Sequence, residues 1–153
     1  MEDQYALCEA GVLTSVRSLA TAFPESWQVT TDGSKFTKGA LNFFILRPGT
    51  FPVFKAQQKS TYDFQWNMTG ELYVRFMEYA KAIDEFKSIR WAVIERLKSD
   101  PTLGGTKGVW EVDITSGGDV QFWYETETAP IPNFVVQSFS IVVTQRVIFE
   151  KRW

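Results

Sequence analysis

Thr61-Tyr-Asp-Phe-Gln-Trp-Asn-Met-Thr-Gly-Glu-Leu-Tyr-Val-Arg-Phe76 alternates apolar and polar residues almost throughout. Tyr62, Phe64 and Trp66 are interleaved with Thr61, Asp63, Gln65 and Asn67, and Leu72, Val74 and Phe76 continue the series. Successive strand residues point to opposite faces, so a period of two predicts β-structure with one apolar face. Met68-Thr69-Gly70 carries turn chemistry in the middle, so the stretch reads as a hairpin.

Upstream, residues 3–22 read as a helix, with Val12, Val16, Leu19 and Phe23 at helical spacing and Pro24 closing it. Ser26–Lys38 is polar, with a turn at Asp32-Gly33. Ala40–Arg47 is a short apolar run closed by Pro48-Gly49, which fits a strand buried on both faces. Downstream, Ala82–Ser99 forms a second helix with a stripe of Ile83, Phe86, Val93, Ile94 and Leu97, ended by Asp100-Pro101 and Gly104-Gly105. Trp110, Val112 and Ile114 then alternate with Glu111 and Asp113. Across Thr115-Ser-Gly-Gly118 follow Val120, Phe122 and Tyr124 with Gln121, Trp123 and Glu125. After Pro130 and Pro132 comes a long strand, Phe134–Phe149, with Phe139, Ile141 and Val143 facing inward.

The order helix, three strands, helix, three strands (α-β-β-β-α-β-β-β) predicts an α+β fold: a mostly antiparallel sheet with two main helices packed on one side. No linker divides the 153 residues, so one domain spanning residues 1–153 is expected.

Composition narrows the function. Net charge is −2 and the 16 basic residues are scattered, which disfavours tight binding to a phosphate backbone. The chain has no histidine, so Ser-His and Cys-His nucleophile pairs are excluded. Cys8 is the lone cysteine, which leaves neither an internal disulfide nor a cysteine-based zinc site. Gly104-Gly105 and Gly117-Gly118 lack the spacing and lysine of a phosphate loop. No enzyme activity, cofactor or metal is implied. The acidic start lacks a signal peptide's basic end, and the Asn42–Leu46 run is too short for a membrane span; synthesis in a cytoplasm and no membrane partner are expected.

Aromatic residues make up 16%, including 13 Phe and 6 Trp, more than one core readily absorbs. Two groups of side chains are candidates for contacts outside the chain. Glu111, Asp113, Gln121, Trp123 and Glu125 share the outward face of the predicted 110–125 hairpin. The carboxylates of Glu111, Asp113 and Glu125 would suit a channel wall past which DNA slides, and Trp123 a subunit interface, against the plainer reading of a solvated face. Arg90 falls within the apolar stripe of the second helix. It either snorkels to water or forms a buried or interfacial ion pair.

Phe86-Lys-Ser-Ile-Arg-Trp-Ala-Val-Ile-Glu-Arg-Leu-Lys-Ser-Asp-Pro-Thr-Leu-Gly-Gly105 resembles the central helix and following turn of the tail terminator proteins of long-tailed (siphovirus-type) bacteriophages. The likeness continues through Gly117-Gly118-Asp119 to Pro132-Asn133-Phe134 and the closing Val143-Thr-Gln-Arg-Val-Ile-Phe149, while the earlier part matches in element order only. The resemblance implies a virion protein of the tail or neck that forms a homo-hexameric ring. The ring would cap the tail tube, end its polymerisation and offer a surface for head–tail joining. Its partners would be further copies of itself, the tail tube protein and the head–tail connector, with DNA passing without tight binding. Alternatives are a head completion or stopper protein, a tail tube subunit or, in a different class, a small-molecule binding or hydrolytic α+β domain.

Overall fold

Two strands of 15 residues each, Thr61–Arg75 (β4) and Phe134–Ile148 (β7), pair antiparallel from Thr61↔Ile148 to Arg75↔Phe134 and form the spine of the sheet. The computed structural model describes residues 2–22, 27–31, 42–76, 79–124, 126, 128 and 131–149. In chain order, α1 (Gln4–Arg17) runs into a 3₁₀ turn and is followed by β1 (Trp27–Thr30), β2 (Asn42–Pro48), β3 (Val53–Gln58) and β4. Then come α2 (Tyr79–Lys98), β5 (Val109–Ser116), β6 (Gln121–Trp123) and β7. The sheet order is β1-β2-β4-β7-β5, with β3 also on β4 and β6 also on β7. Among the described residues only the β1–β2 pair is parallel. The expected α+β class, helix–strands–helix–strands order and single domain are what the structure has.

The helices share one face. In the register, Phe44, Leu46, Met68, Leu72, Val74, Val112, Val135, Phe139, Ile141 and Val143 all lie on the same side of the sheet, and all join the core with α1 and α2. From α1 this core takes Cys8, Val12, Leu13 and Val16; from α2 it takes Ala82, Phe86, Ile89, Val93 and Leu97. Each large apolar side chain so buried stabilises the fold by about 1.5–3 kcal/mol before chain entropy is set against it. Asp3 starts α1 by accepting the Ala6 N–H at 3.1 Å, and Arg96 and Lys98 sit in the last turn of α2, where cations favour the helix dipole. The predicted α2 stripe is shifted slightly: Ile89 is buried at its centre, and Ile83 and Ile94 flank it. Phe23, Pro24 and the Ser26 and Asp32-Gly33 positions lie outside the described residues.

Neither predicted hairpin reverses the chain. Thr61–Arg75 is one continuous strand, and Gly70 sits within it, paired to Leu46 and Phe139. A Cβ at Gly70 would lie 2.9 Å from Phe44 Cζ and 3.0 Å from Phe139 Cε2. The glycine is there so that these two rings, 5.9 Å apart between centroids, can close over the strand. Likewise β5 and β6 do not pair with each other. Both run antiparallel to β7, from Val109↔Gln145 to Ser116↔Phe139 and then from Gln121↔Val136 to Trp123↔Phe134. Gly117 permits this passage, since a Cβ there would fall 2.6 Å from Phe139 Cα. A β-bulge between Val109 and Glu111 also turns Trp110 off the expected inward face, so that Val109 is buried and Trp110 is 50% exposed. β1 and β3 are additional to the strands expected from the sequence.

Candidate functional site

Aromatic clusters gather at both ends of the spine. At the end made by the start of β4 and the finish of β7, Tyr62, Phe64 and Trp66 point to the helix side, as their alternation requires. Trp66 is capped by Tyr5 of α1, with centroids 5.9 Å apart, and Phe64 stacks on Trp66 at 4.9 Å and 8°. Beyond them the rings of Phe54, Tyr62 and Phe149 line an open concavity of about 950 Å³, rimmed by Gln57, Gln58 and Lys59. β3 forms its wall, and every residue of β3 is exposed. Phe51, next to it, is 82% exposed.

At the opposite end, Phe43, Tyr73, Phe134 and Trp123 pack together on the helix-free face. Phe134 lies 5.4 Å from Phe43, 6.1 Å from Tyr73 and 5.8 Å from Trp123. Phe43 is buried there, whereas Trp123 forms the exposed rim beside Tyr124. Burial pushes the Tyr73 phenol up to about 12, helped by its hydrogen bond to Glu71 at 2.7 Å, so it stays a neutral donor. The Glu71 carboxylate also pairs with Arg47.

The expected strip partly assembles. Glu111, Asp113 and Trp123 face the same, helix-free side, because their β7 partners are Thr144, Val142 and Phe134. Glu111 and Asp113 are exposed, and Asp113 lies 3.5 Å from Lys98 Nζ, which also donates to the Val112 carbonyl at 3.1 Å. Glu125 lies outside the described residues. Arg90 is on the other side of the sheet and is not part of this group. Its Nη1 donates to Gln137 Oε1 at 2.9 Å, its guanidinium lies 5.5 Å from the Phe86 ring centre, and Gln137 Nε2 is itself bound to the Gly118 carbonyl. The cation thus meets an amide of the final strand within its own chain, half-buried.

Two features escape sequence reasoning. One is Gln145, fully buried on β7, which ties Trp66, Gln4 and Lys107 together. The other is the apolar exposure of Phe51, Val53 and Phe54; their placement beside Pro52 in an otherwise polar stretch is the only sequence signal. Among the described residues no group of three His, Cys, Asp or Glu side chains could hold a metal ion, and no helix is long and apolar enough to cross a membrane. Cys8 is buried, which pushes its thiol up to about 12.

No protein-family profile matches the chain, and no curated protein matches it. Among solved structures it is similar to the gp17 protein of bacteriophage SPP1, at 14% identity over 98% of this chain and 94% of that one, with a TM-score of 0.45. A likeness at this level assigns neither family nor role.

Proposed function

We propose that this chain is a structural protein of a bacteriophage tail or neck, acting as a tail terminator: a ring that caps the tail tube, ends its polymerisation and presents a surface to the head connector. The observation that carries the reading is the pair of unlike apolar surfaces at opposite ends of one open sheet. The end with Phe51, Val53 and Phe54 and the end with Phe122, Trp123 and Tyr124 are too apolar for a lone solvated domain. Two different surfaces on one chain are what a head-to-tail ring requires. The sequence resemblance of Phe86–Gly105 and the final strand directs that assembly to the phage tail. Work of this kind is done by surface alone, with no catalytic group.

Deleting the gene from its phage tests the reading. A terminator's loss gives tail tubes of uncontrolled length that do not join heads. Tails of normal length with leaking heads would instead indicate a head completion or stopper protein. Absence of tails would indicate a tube subunit, and normal virions would refute a virion role altogether.

A further inference from the structure

β3 pairs with β4 through one edge, and among the described residues no strand pairs with its other edge. Its charge is one-sided: Val53–Gln58 carries Lys55 and no acid, and Lys59 follows in the turn. At the far edge of the same sheet, β5 carries Glu111 and Asp113 and no base of its own, while Lys98 of α2 reaches Asp113 at 3.5 Å. The faces also match. Lys55 pairs with Asp63 on the helix-free side, where Glu111 and Asp113 also project, whereas Phe54 pairs with Phe64 on the helix side, as do Val109, Val112 and Ile114 with their own partners. Across the helix-free face a row runs Lys55, Asp63, Arg146, with Arg146 bonded to Asp63 at 2.9 and 3.1 Å. On β5 the acids lie further along β7 than Arg146, opposite Thr144 and Val142.

We infer that β3 and its aromatic concavity dock a second copy of this chain, which offers its β5 edge. Lys55 and Lys59 of one copy meet Glu111 and Asp113 of the next, and exposed Trp110 of the next copy reaches the Phe54 wall. Lys98 already holds the Val112 carbonyl, so side chains carry the joint rather than a continued ladder of backbone bonds. Pairing of two β3 edges is disfavoured, because it would set lysines against lysines. The contact is therefore between unlike edges and propagates head to tail. This assignment rests on the ring reading above and names the surface through which it closes.

The test is a charge exchange on the full chain, read by sedimentation velocity across a concentration series. One variant carries Lys55→Glu and Lys59→Glu, the other Glu111→Lys and Asp113→Lys. All four positions are exposed, and an unchanged circular dichroism spectrum and melting curve serve as the folding control. Wild type is expected to self-associate, more weakly in 1 M than in 0.1 M salt. Each variant alone is expected to weaken association at least about tenfold, and an equimolar mixture to restore it, because each acidic edge then finds a basic one. Folded variants that associate like wild type, or a mixture that does not recover, overturn the surface. If Lys55 and Lys59 only blunt a free edge, wild type stays monomeric at every concentration, and the inference falls whatever the deletion phenotype. A tail of normal length in the deletion strain would instead sink the terminator reading and leave a measured self-association standing.

Discussion

Replacing Gln145 with Leu removes a buried polar group that joins four parts of the molecule. Gln145 is 1% exposed. Its Oε1 accepts the Trp66 indole N–H at 2.9 Å, and its Nε2 donates to the Lys107 carbonyl at 2.9 Å and to Gln4 Oε1 at 3.0 Å. Leucine fills nearly the same space and adds apolar burial worth about 1–2 kcal/mol. Against that, the Lys107 carbonyl and the Trp66 indole lose their partner, at about 1–3 kcal/mol each when buried, while Gln4 is near enough to water to be rehydrated. The net expectation is a loss of about 2 kcal/mol, which in urea lowers the unfolding midpoint by about 1 M. Equilibrium unfolding followed by tryptophan fluorescence measures it directly. Gln145→Glu should be worse at neutral pH, because a carboxylate has no proton to give Lys107 or Gln4, and it should partly recover in acid as it becomes neutral. A Gln145→Leu midpoint within about 0.2 M of wild type would refute the account and leave the network without energetic weight.

Gly70→Ala should destabilise by about 1–3 kcal/mol, since the new methyl meets two buried rings. Combining it with Phe139→Leu should cost less than the sum of the single changes, and additivity in that cycle would refute the close-packing role of Gly70. Arg146 holds the Asp63 carboxyl below its ordinary value of 3.8, so this pair adds stability above that pH and loses it as pH falls through the lowered value. Asp63→Asn should therefore be slightly less stable than wild type at neutral pH and indistinguishable from it in strong acid, as read by denaturant titrations at several pH values. Arg90→Met should cost the monomer about 1–2 kcal/mol through the lost bond to Gln137, while leaving association intact. Normal monomer stability with lost association would return Arg90 to the interface.

Periodicity gave the right elements wherever one face of an element is buried and the other is not. It found α2, the alternation of β4 and the inward Phe139, Ile141 and Val143 of β7, because burial within the chain writes that pattern. It failed at two glycines. Gly70 and Gly117 look like turn residues in sequence, yet each is a glycine because another part of the chain comes too close for a Cβ. A turn glycine and a close-approach glycine are the same letter, and the neighbour that distinguishes them is far away in sequence: Phe44 and Phe139 for one, the Ser138–Phe139 backbone for the other.

The same logic separates the legible from the illegible parts of the candidate surfaces. Glu111, Asp113 and Trp123 were placed on one face through a hairpin that does not exist. The placement holds because β5 and β6 both pair with β7 and side-chain direction alternates by two along that partner, so Thr144, Val142 and Phe134 fix the face whatever path joins them. Arg90 was placed in the stripe by helical spacing, but its amide partner is 47 residues away, beyond the reach of any local pattern. β3 is the limiting case. None of its residues is buried, so no period marks Val53–Gln58 as a strand. A period records burial inside one chain, and a strand whose residues all stay exposed in that chain leaves no record. Its edge becomes visible only once β4 is in place beside it, and at that point an exposed Phe54 next to an edge that no described strand pairs is itself the observation that calls for a partner.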